Sequence, residues 1–457
     1  MSATEQQSSA RVNGVSRPPE PGGLTDASLK EALAVLATGV VPALVRGLFA
    51  PRRGAMKLLT RVDADARAIS VLTGLRRRHG GEGVRLLGGR LIVLWGADAI
   101  REVLDRSAEL YASDAGAKAK GMSHFQPDAL TLSRGPDWRD RRPFNEVVLA
   151  SRERVHPDGH RFVEVVADEI DRMPLGQTLE WRDWERLFDL ITLRVIFGDR
   201  ARCDQRLTGL LETLMRQGNR LVGLKPNDTY YELYGALERH VRDAEPGSLL
   251  ARFTEAPHSD RTRVVQQIPH WMFAMRDTLA ANAYRALAAI VSDPAVERRV
   301  REDMIGADLS DPRAVDGMGY LGGCLHEAMR LWPTTPLLAR EVTHDVALAG
   351  EHVPAGTQIL ILNTFNHRDP DHVEDADHLT PERWRPSSET PDYRFNHLSN
   401  GSQDCPGGPL VLLLGKAAIA QMLSRWTLKL EEPALPAGGP MPAMFDFYSA
   451  RFTARRR

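Results

Sequence analysis

Apolar positions along most of this chain recur every three to four residues, the spacing of one helix face. From about residue 137 to 330 that pattern predicts helices almost without interruption, with loops at Pro157-Asp158-Gly159, Pro226-Asn227-Asp228 and Pro257–Asp260. The longest predicted helix covers Gln266–Val291, is rich in Ala and Leu, and carries Pro269 in its first turn, where proline is tolerated. Another covers Gly319–Trp332 and is stopped by Pro333 and Pro336; an apolar helix over Leu410–Trp426 closes the series. The pattern changes in two places. Val84–Leu87 and Arg90–Trp95 flank Gly88-Gly89 and predict a β-hairpin. Beyond Pro336, Val342, Val346–Leu348 and Gln358–Leu362 predict short strands, followed by a polar meander over Asn366–Glu389. Ala32–Ala50 is the most apolar stretch, but it holds Pro42 and Arg46. A membrane span needs ~20 apolar residues with few charges, so the expectation here is a helix pair broken at Pro42. Residues 1–24, rich in Ser, Gln, Gly and Pro, predict a disordered tail.

The sum is a mainly α chain, with residues 25–457 as one domain and its β-rich part at about 75–110 and 337–400. At 457 residues the chain exceeds the ~250–300 that one hydrophobic core usually serves, so two lobes or a large enzyme fold are expected. Charge is balanced, 59 Lys and Arg against 60 Asp and Glu, which argues against a nucleic-acid partner held by bulk charge. Cys203, Cys324 and Cys405 are the only cysteines. They cannot build a disulfide framework or an all-cysteine zinc site, and a reducing, cytoplasmic setting fits them best. No early apolar run marks a signal peptide, and membrane contact is not expected.

Three local features carry chemistry. The segment from Leu398 through Gly401, Gln403, Cys405 and Gly407 to Pro409 places a cysteine in a glycine-rich loop just before a helix N-terminus. Backbone N–H groups and the helix dipole there favour a thiolate, and a buried thiolate needs a cation such as heme iron. A cysteine in a capping loop by chance is the equal alternative. Glu327 and Arg330 stand at i, i+3 on one helix face. An ordinary surface pair is the plain alternative, weakened by the apolar neighbours Leu325, Ala328, Met329 and Leu331. Asp277 and Thr278 fall in the middle of the longest apolar helix, where both residue types are poor helix formers. They suit a local opening that holds water, or else a solvated stripe shared with Arg276. A seven-residue cluster of acids and histidines, His367, Asp369, Asp371, His372, Asp375, Asp377 and His378, has no helical metal-ligand spacing and is expected to be a solvated part of the meander.

Taken together, these motifs resemble the cytochrome P-450 superfamily of heme-thiolate enzymes, over residues ~75–455 and in that family's order along the chain. Glu327-Ala-Met-Arg330 is similar to its Glu-x-x-Arg, and Pro381-Glu-Arg383-Trp384 to its meander motif, implying a structural network of Glu327, Arg330 and Arg383. Gly401 through Gly407 resembles the heme-binding loop, with Cys405 as axial ligand of the iron. Ala274 to Thr278 is similar to the oxygen-activating helix segment, which casts Asp277 and Thr278 as the proton-handling pair. Trp138 and Arg142 resemble the pair that meets the heme propionates, Arg340 a second propionate arginine, and His124 a weaker candidate. Leu398, Gln403 and Met275 depart from the family's usual Phe, Arg or His, and Gly. Gln403 makes one propionate contact neutral, and Met275 would narrow the oxygen groove.

The resemblance implies a cytochrome P-450 fold, heme b (iron protoporphyrin IX) and a monooxygenase that inserts one atom of dioxygen into a small lipophilic substrate. No flavin or nicotinamide fingerprint is present, so a separate ferredoxin and ferredoxin reductase are the expected electron source, with Lys416 and Arg425 as docking candidates. Pocket candidates are Phe273, Met275, Leu337, Leu338, Phe445 and Phe447, with Arg276 as an anchor for a substrate carboxylate. Competing readings are a peroxide-driven or coupling enzyme of the same fold, a non-catalytic heme sensor, and a helical scaffold without cofactor.

Overall fold

The computed structural model describes residues 22–114, 116–221, 225–384 and 391–457. Helices build the body, as the patterning predicts, and the strands fall into three sheets, with Leu24–Asp26, Thr178–Glu180, Trp426–Glu432 and Arg451–Arg456 outside the stretches expected to be β-rich. The main sheet has six strands in the order β1 (Leu24–Asp26), β2 (Gly83–Leu86), β3 (Leu91–Leu94), β9 (Gln358–Ile361), β6 (Leu338–Val342) and β4 (Tyr111–Ala112). Strands β2 and β3 are the antiparallel hairpin turned by Gly88 and Gly89, both at positive φ. Strand β3 pairs parallel with β9, which pairs antiparallel with β6. Thus the two β-rich stretches, far apart in sequence, meet in one sheet. Strands β7 (Val346–Leu348) and β8 (Glu351–Val353) form a separate ribbon. A third sheet joins β10 (Trp426–Glu432) and β11 (Arg451–Arg456) to β5 (Thr178–Glu180).

Three boundary expectations are corrected. The tail expected over 1–24 lies outside the described residues up to 21, but Leu24 is already strand: it is buried and pairs with Gly83. The expected break at Pro42 is replaced by continuous helical backbone, from Leu29–Val35 through a π-turn at Leu36–Val40 into Val41–Arg46. The wider π-turn absorbs the displacement that a proline ring imposes on the preceding turn. The longest helix begins at Val264, not Gln266, so Pro269 lies beyond its first turn, buried.

That longest helix decides where chemistry can occur. It runs as Val264–Phe273, a π-helical segment Ala274–Leu279, and Ala280–Ser292. The last part is buried along nearly its whole length, which its Ala-rich sequence permits because small side chains let neighbouring helices approach. It packs against the helix Gly319–Leu331 and the helix Gly408–Arg425. A Cβ placed on Gly415 would stand 2.6 Å from Leu325 and 3.2 Å from Leu279, so three helices converge at that glycine.

Candidate functional site

The π segment contains Asp277 and Thr278, and its cause is legible in these residues. Asp and Thr are poor helix formers, and such widenings frequently mark functional sites; here the Asp277 carboxylate bonds to the neighbouring Arg276. On this helix Met272, Met275, Arg276, Leu279 and Ala280 are buried, whereas His270, Phe273, Ala274, Asp277 and Thr278 keep accessible surface. These half-open residues recur at three- and four-residue spacing in the middle of the molecule. Protein surrounds His270 and Asp277 on all sides even so, and the stripe therefore borders an internal space rather than the outer surface.

Asp277 is the tuned group. Its side chain retains 22% exposure, yet burial pushes its carboxyl up to about 7, against the pull of Arg276 and with Asp189, Glu185 and Glu212 adding repulsion. Arg276 does not face the pocket as an anchor, so that expectation is corrected. Its guanidinium is buried and fully engaged: Nε donates to Asp189 Oδ1 at 2.5 Å, Nη2 to Glu212 Oε2 at 3.3 Å and Nη1 to Asp277 Oδ1 at 3.2 Å. Three carboxylates on three helical elements converge on one cation. The sequence offered a partial signal, since Glu185 and Asp189 stand four apart on the helix Trp181–Phe197. Nothing marked them as neighbours of Asp277. Burial also raises the carboxyls of Glu185 and Asp189. Glu185 in turn reaches Arg53, whose side chain is exposed, at 3.2 Å.

Cys405 sits in a loop pinned from several sides. Its N–H donates to Leu398 O at 2.9 Å, and its carbonyl accepts from Gly408 N–H at 3.2 Å. Gly401 has φ +70°, and a Cβ there would stand 2.4 Å from Leu104 O, so only glycine fits this contact. Ser402 Oγ accepts from Ala108 N–H at 3.2 Å, and Ser151 Oγ donates to Pro406 O at 2.5 Å. The Gly407 N–H is directed at the Cys405 sulfur, but burial outweighs it and pushes the thiol up. The loop by itself therefore does not make a thiolate, and a bound cation is required to hold one. Gly407 packs near Leu149, and Leu398 near Gly408.

Arg340 lies on β6, buried at 4% exposure. Nε donates to Ser107 Oγ at 2.8 Å and Nη1 to Ala339 O at 3.0 Å. Among the described residues no carboxylate pairs with it, and burial pushes it down to about 10. A buried guanidinium without an acid is the arrangement that a propionate completes. Trp138 is half-buried at the start of the helix Gly135–Val148. Arg142 is committed elsewhere: it donates to Glu146 Oε1 at 2.7 Å, to Asp404 O at 2.8 Å and to the Asp404 carboxylate. It fastens the cysteine loop to that helix. His124 is buried, with Nε2 at 2.6 Å from Gln217 Oε1 and Nδ1 unpartnered among the described residues. Gln403 Oε1 is likewise buried without a partner there. Open polar atoms, an unpaired cation and a glycine cradle beside a cysteine together fit heme b.

Glu327 and Arg330 are joined by two hydrogen bonds of 2.7 and 2.8 Å, both side chains at 0% exposure. Arg330 also donates to the carbonyls of His367, Ala376 and His378. Glu327 accepts from Thr380 N–H and Trp384 Nε1–H, each at 2.8 Å, and Arg383 Nε stands 3.5 Å away. The meander is thereby strapped to the helix. Its acidic cluster is engaged with arginines: Asp369 and Asp371 with Arg76, Asp371 with Arg77, and Asp377 with Arg368. His367 is buried, bonded to Arg330 O and Asn396 N–H.

Other expectations fail on burial. Phe445 and Phe447 are core residues, packed on Trp332 and Trp181 at centroid distances of 5.3 and 4.5 Å, and Met275 is buried as well. Phe273, Leu337 and Leu338 remain half-open. Lys416 is not a docking residue: it is buried, and Nζ donates to Asp316 O at 2.6 Å. Arg425 pairs with Asp171.

Comparison with known proteins agrees with this geometry. The family model described as cytochrome P450 matches residues 207–438. Similar proteins include the probable cytochrome P450 4d21 of Drosophila melanogaster, 28% identical over 44% of this chain and 39% of its own length. The taurochenodeoxycholic 6 alpha-hydroxylase of Sus scrofa is 29% identical over 41% of this chain and 38% of its own. The cyclooctat-9-en-7-ol 5-monooxygenase of Streptomyces melanosporofaciens is 25% identical over 66% of this chain and 73% of its own. The chain spans about two fifths of the length of the first of these relatives. It belongs to the cytochrome P450 family.

Proposed function

We propose that this cytochrome P450 is a monooxygenase that inserts one oxygen atom of dioxygen into a lipophilic small molecule. The observation that carries this reading is an acid held near neutrality beside a hydroxyl, at a helix widening that borders an internal space. Heme b, when bound, supplies the activation of dioxygen and the oxygen-atom transfer. Cys405 Sγ would hold its iron, and Arg340 and Trp138 its propionates. Arg142 orders the cysteine loop through Asp404.

The chain's own contribution is proton control. Asp277 sits close to half-protonated at neutral pH, so its carboxyl can give and regain a proton without a large change in driving force. Thr278 Oγ1, one residue on, would pass that proton into the internal space. Arg276 restrains Asp277 and couples it to Asp189 and Glu212. Glu185, whose carboxyl burial also raises, stands beside the exposed Arg53 and so carries this acid group toward the surface. The apolar residues around Phe273 and Leu338 exclude bulk water and favour a lipophilic guest.

Two relatives support the reaction class by name, one a 5-monooxygenase of cyclooctat-9-en-7-ol and one a 6 alpha-hydroxylase. Electrons would come from a separate ferredoxin and its reductase, in the cytoplasm; among the described residues no helix is long and apolar enough to cross a membrane. The test is the absorption spectrum of the reduced, carbon monoxide-bound protein. A red-shifted thiolate-type band is expected, and Cys405→Ala should abolish it. Turnover with a ferredoxin system but not with hydrogen peroxide separates this reading from a peroxide-driven enzyme.

A further inference from the structure

The half-open stripe of the longest helix begins with a polar side chain that the reading above leaves idle, His270. Its Nδ1 stands 3.1 Å from Gln126 Nε2. An amide NH2 can only donate, so Nδ1 accepts. Burial pushes the ring down to about 4, and a neutral ring that accepts at Nδ1 carries its proton at Nε2. That Nε2–H has no protein partner among the described residues, and the packing does not close it off, since His270 keeps accessible surface. Turning the Gln126 amide round would replace a buried unpaired acceptor, Oε1, with a buried unpaired NH2, the rarer case. Gln126 is also held in place. It is fully buried in the loop 123–134, between the helices Gly116–Met122 and Gly135–Val148. One turn before His270, Gln267 binds that loop to the long helix: Nε2 donates to Asp128 O at 2.8 Å, and Oε1 accepts from Leu130 N–H at 2.9 Å. From the helix Asp228–Arg242, Tyr234 Oη donates to Phe125 O at 2.9 Å. The chain is thus fixed on both flanks of Gln126, and the imidazole orientation with it.

We propose that His270 orients the substrate, its Nε2–H donating to the carbonyl oxygen of a neutral lipophilic ketone or ester. A donor that opens on an enclosed, largely apolar space is cut off from bulk water, so a guest that brings an acceptor there is favoured over one that is apolar at that point. From His270 to Thr278 is eight residues, or ~12 Å of helix at ~1.5 Å per residue. A substrate bonded at His270 therefore presents to Thr278 a carbon roughly that far from its oxygen, and the position of oxidation follows from the anchor. The proposal rests on the monooxygenase reading and names a substrate class for it: lipophiles whose carbonyl is remote from the carbon oxidised.

The experiment uses the heme-loaded chain in three forms: the parent, His270→Leu and His270→Gln. Dodecan-2-one, dodecan-2-ol and dodecane are titrated by their effect on the ferric spin state, and the products of the ketone are mapped after turnover with a ferredoxin system. His270→Leu should weaken ketone binding about tenfold and leave dodecane as tight or tighter. His270→Gln keeps an N–H donor and should retain most of the ketone affinity. The parent should oxidise the ketone at a few adjacent carbons far from the carbonyl, and His270→Leu should scatter the products along the chain. Equal weakening of ketone and hydrocarbon would mean that the imidazole only supports the packing, and would overturn the proposal. So would ketone binding unchanged in His270→Leu, or a parent with no spin-state response to the ketone. A loss confined to the alcohol would mean that Nε2 accepts, and would overturn the assignment of the donor. Failure of the monooxygenase reading is distinct: the parent would bind the ketone yet form no product from it with the ferredoxin system.

Discussion

Asp277→Asn should make this protein more stable while making it a poorer enzyme. The substitution keeps the side chain's shape and removes its ionisation. Asn can still accept from Arg276, which retains Asp189 at 2.5 Å and Glu212 at 3.3 Å. Each tenfold change in proton affinity is worth ~1.4 kcal/mol. A carboxyl moved from 3.8 to about 7 therefore opposes folding by up to ~4 kcal/mol once it is ionised in both states. The side chain keeps 22% exposure, and solvent screening brings the expected gain to ~2–3 kcal/mol. The sign follows from proton binding. Between about pH 4 and 7 the folded carboxyl holds a proton that the unfolded one has released, so the parent loses stability as pH rises through that window. Below it, both states are protonated and the parent and variant converge. Urea unfolding followed by tryptophan fluorescence, at matched heme content, should show a gain of ~2–3 kcal/mol at pH 8 and less than ~1 kcal/mol at pH 4. Turnover should fall in the same variant, and the parent's titration near pH 7 should vanish from the rate profile. Equal gains at both pH values, or a loss at pH 8, would refute the assignment of Asp277 as a strained acid.

Other outcomes test the frame around it. Glu327→Ala leaves Arg330 buried and unpaired, at ~3–5 kcal/mol, and orphans the Thr380 and Trp384 donors at ~1–3 kcal/mol each. That sum reaches the ~5–15 kcal/mol of a whole domain, so this variant should yield little heme-binding protein. Glu327→Gln keeps an acceptor and should lose less, a difference read from heme content and urea midpoints. Gly401→Ala meets positive φ and the Leu104 carbonyl at once; a loss of ~1–3 kcal/mol is expected, seen as faster heme loss. Thr278→Ala should leave stability within ~1 kcal/mol and lower the product formed per NADH consumed.

The sequence by itself determined a great deal here. Hydrophobic period located the long helix, the hairpin and the buried helix behind Cys405, because burial on one face leaves a periodic trace. Motif spacing along the chain placed Glu327 and Arg330 on one helix face and Cys405 in a glycine-rich turn. It also singled out Asp277 and Thr278 as misfits in an apolar helix. What it could not contain was which charges face one another across elements. Arg276 reads as a pocket residue until Asp189 and Glu212 arrive from two other helices and occupy it. Lys416 reads as a surface cation until Asp316 covers it, and Phe445 as a pocket wall until Trp332 packs on it. Local propensity is written residue by residue, whereas desolvation and pairing are set by contacts between segments 64 to 113 residues apart in these examples, and only the folded arrangement decides them.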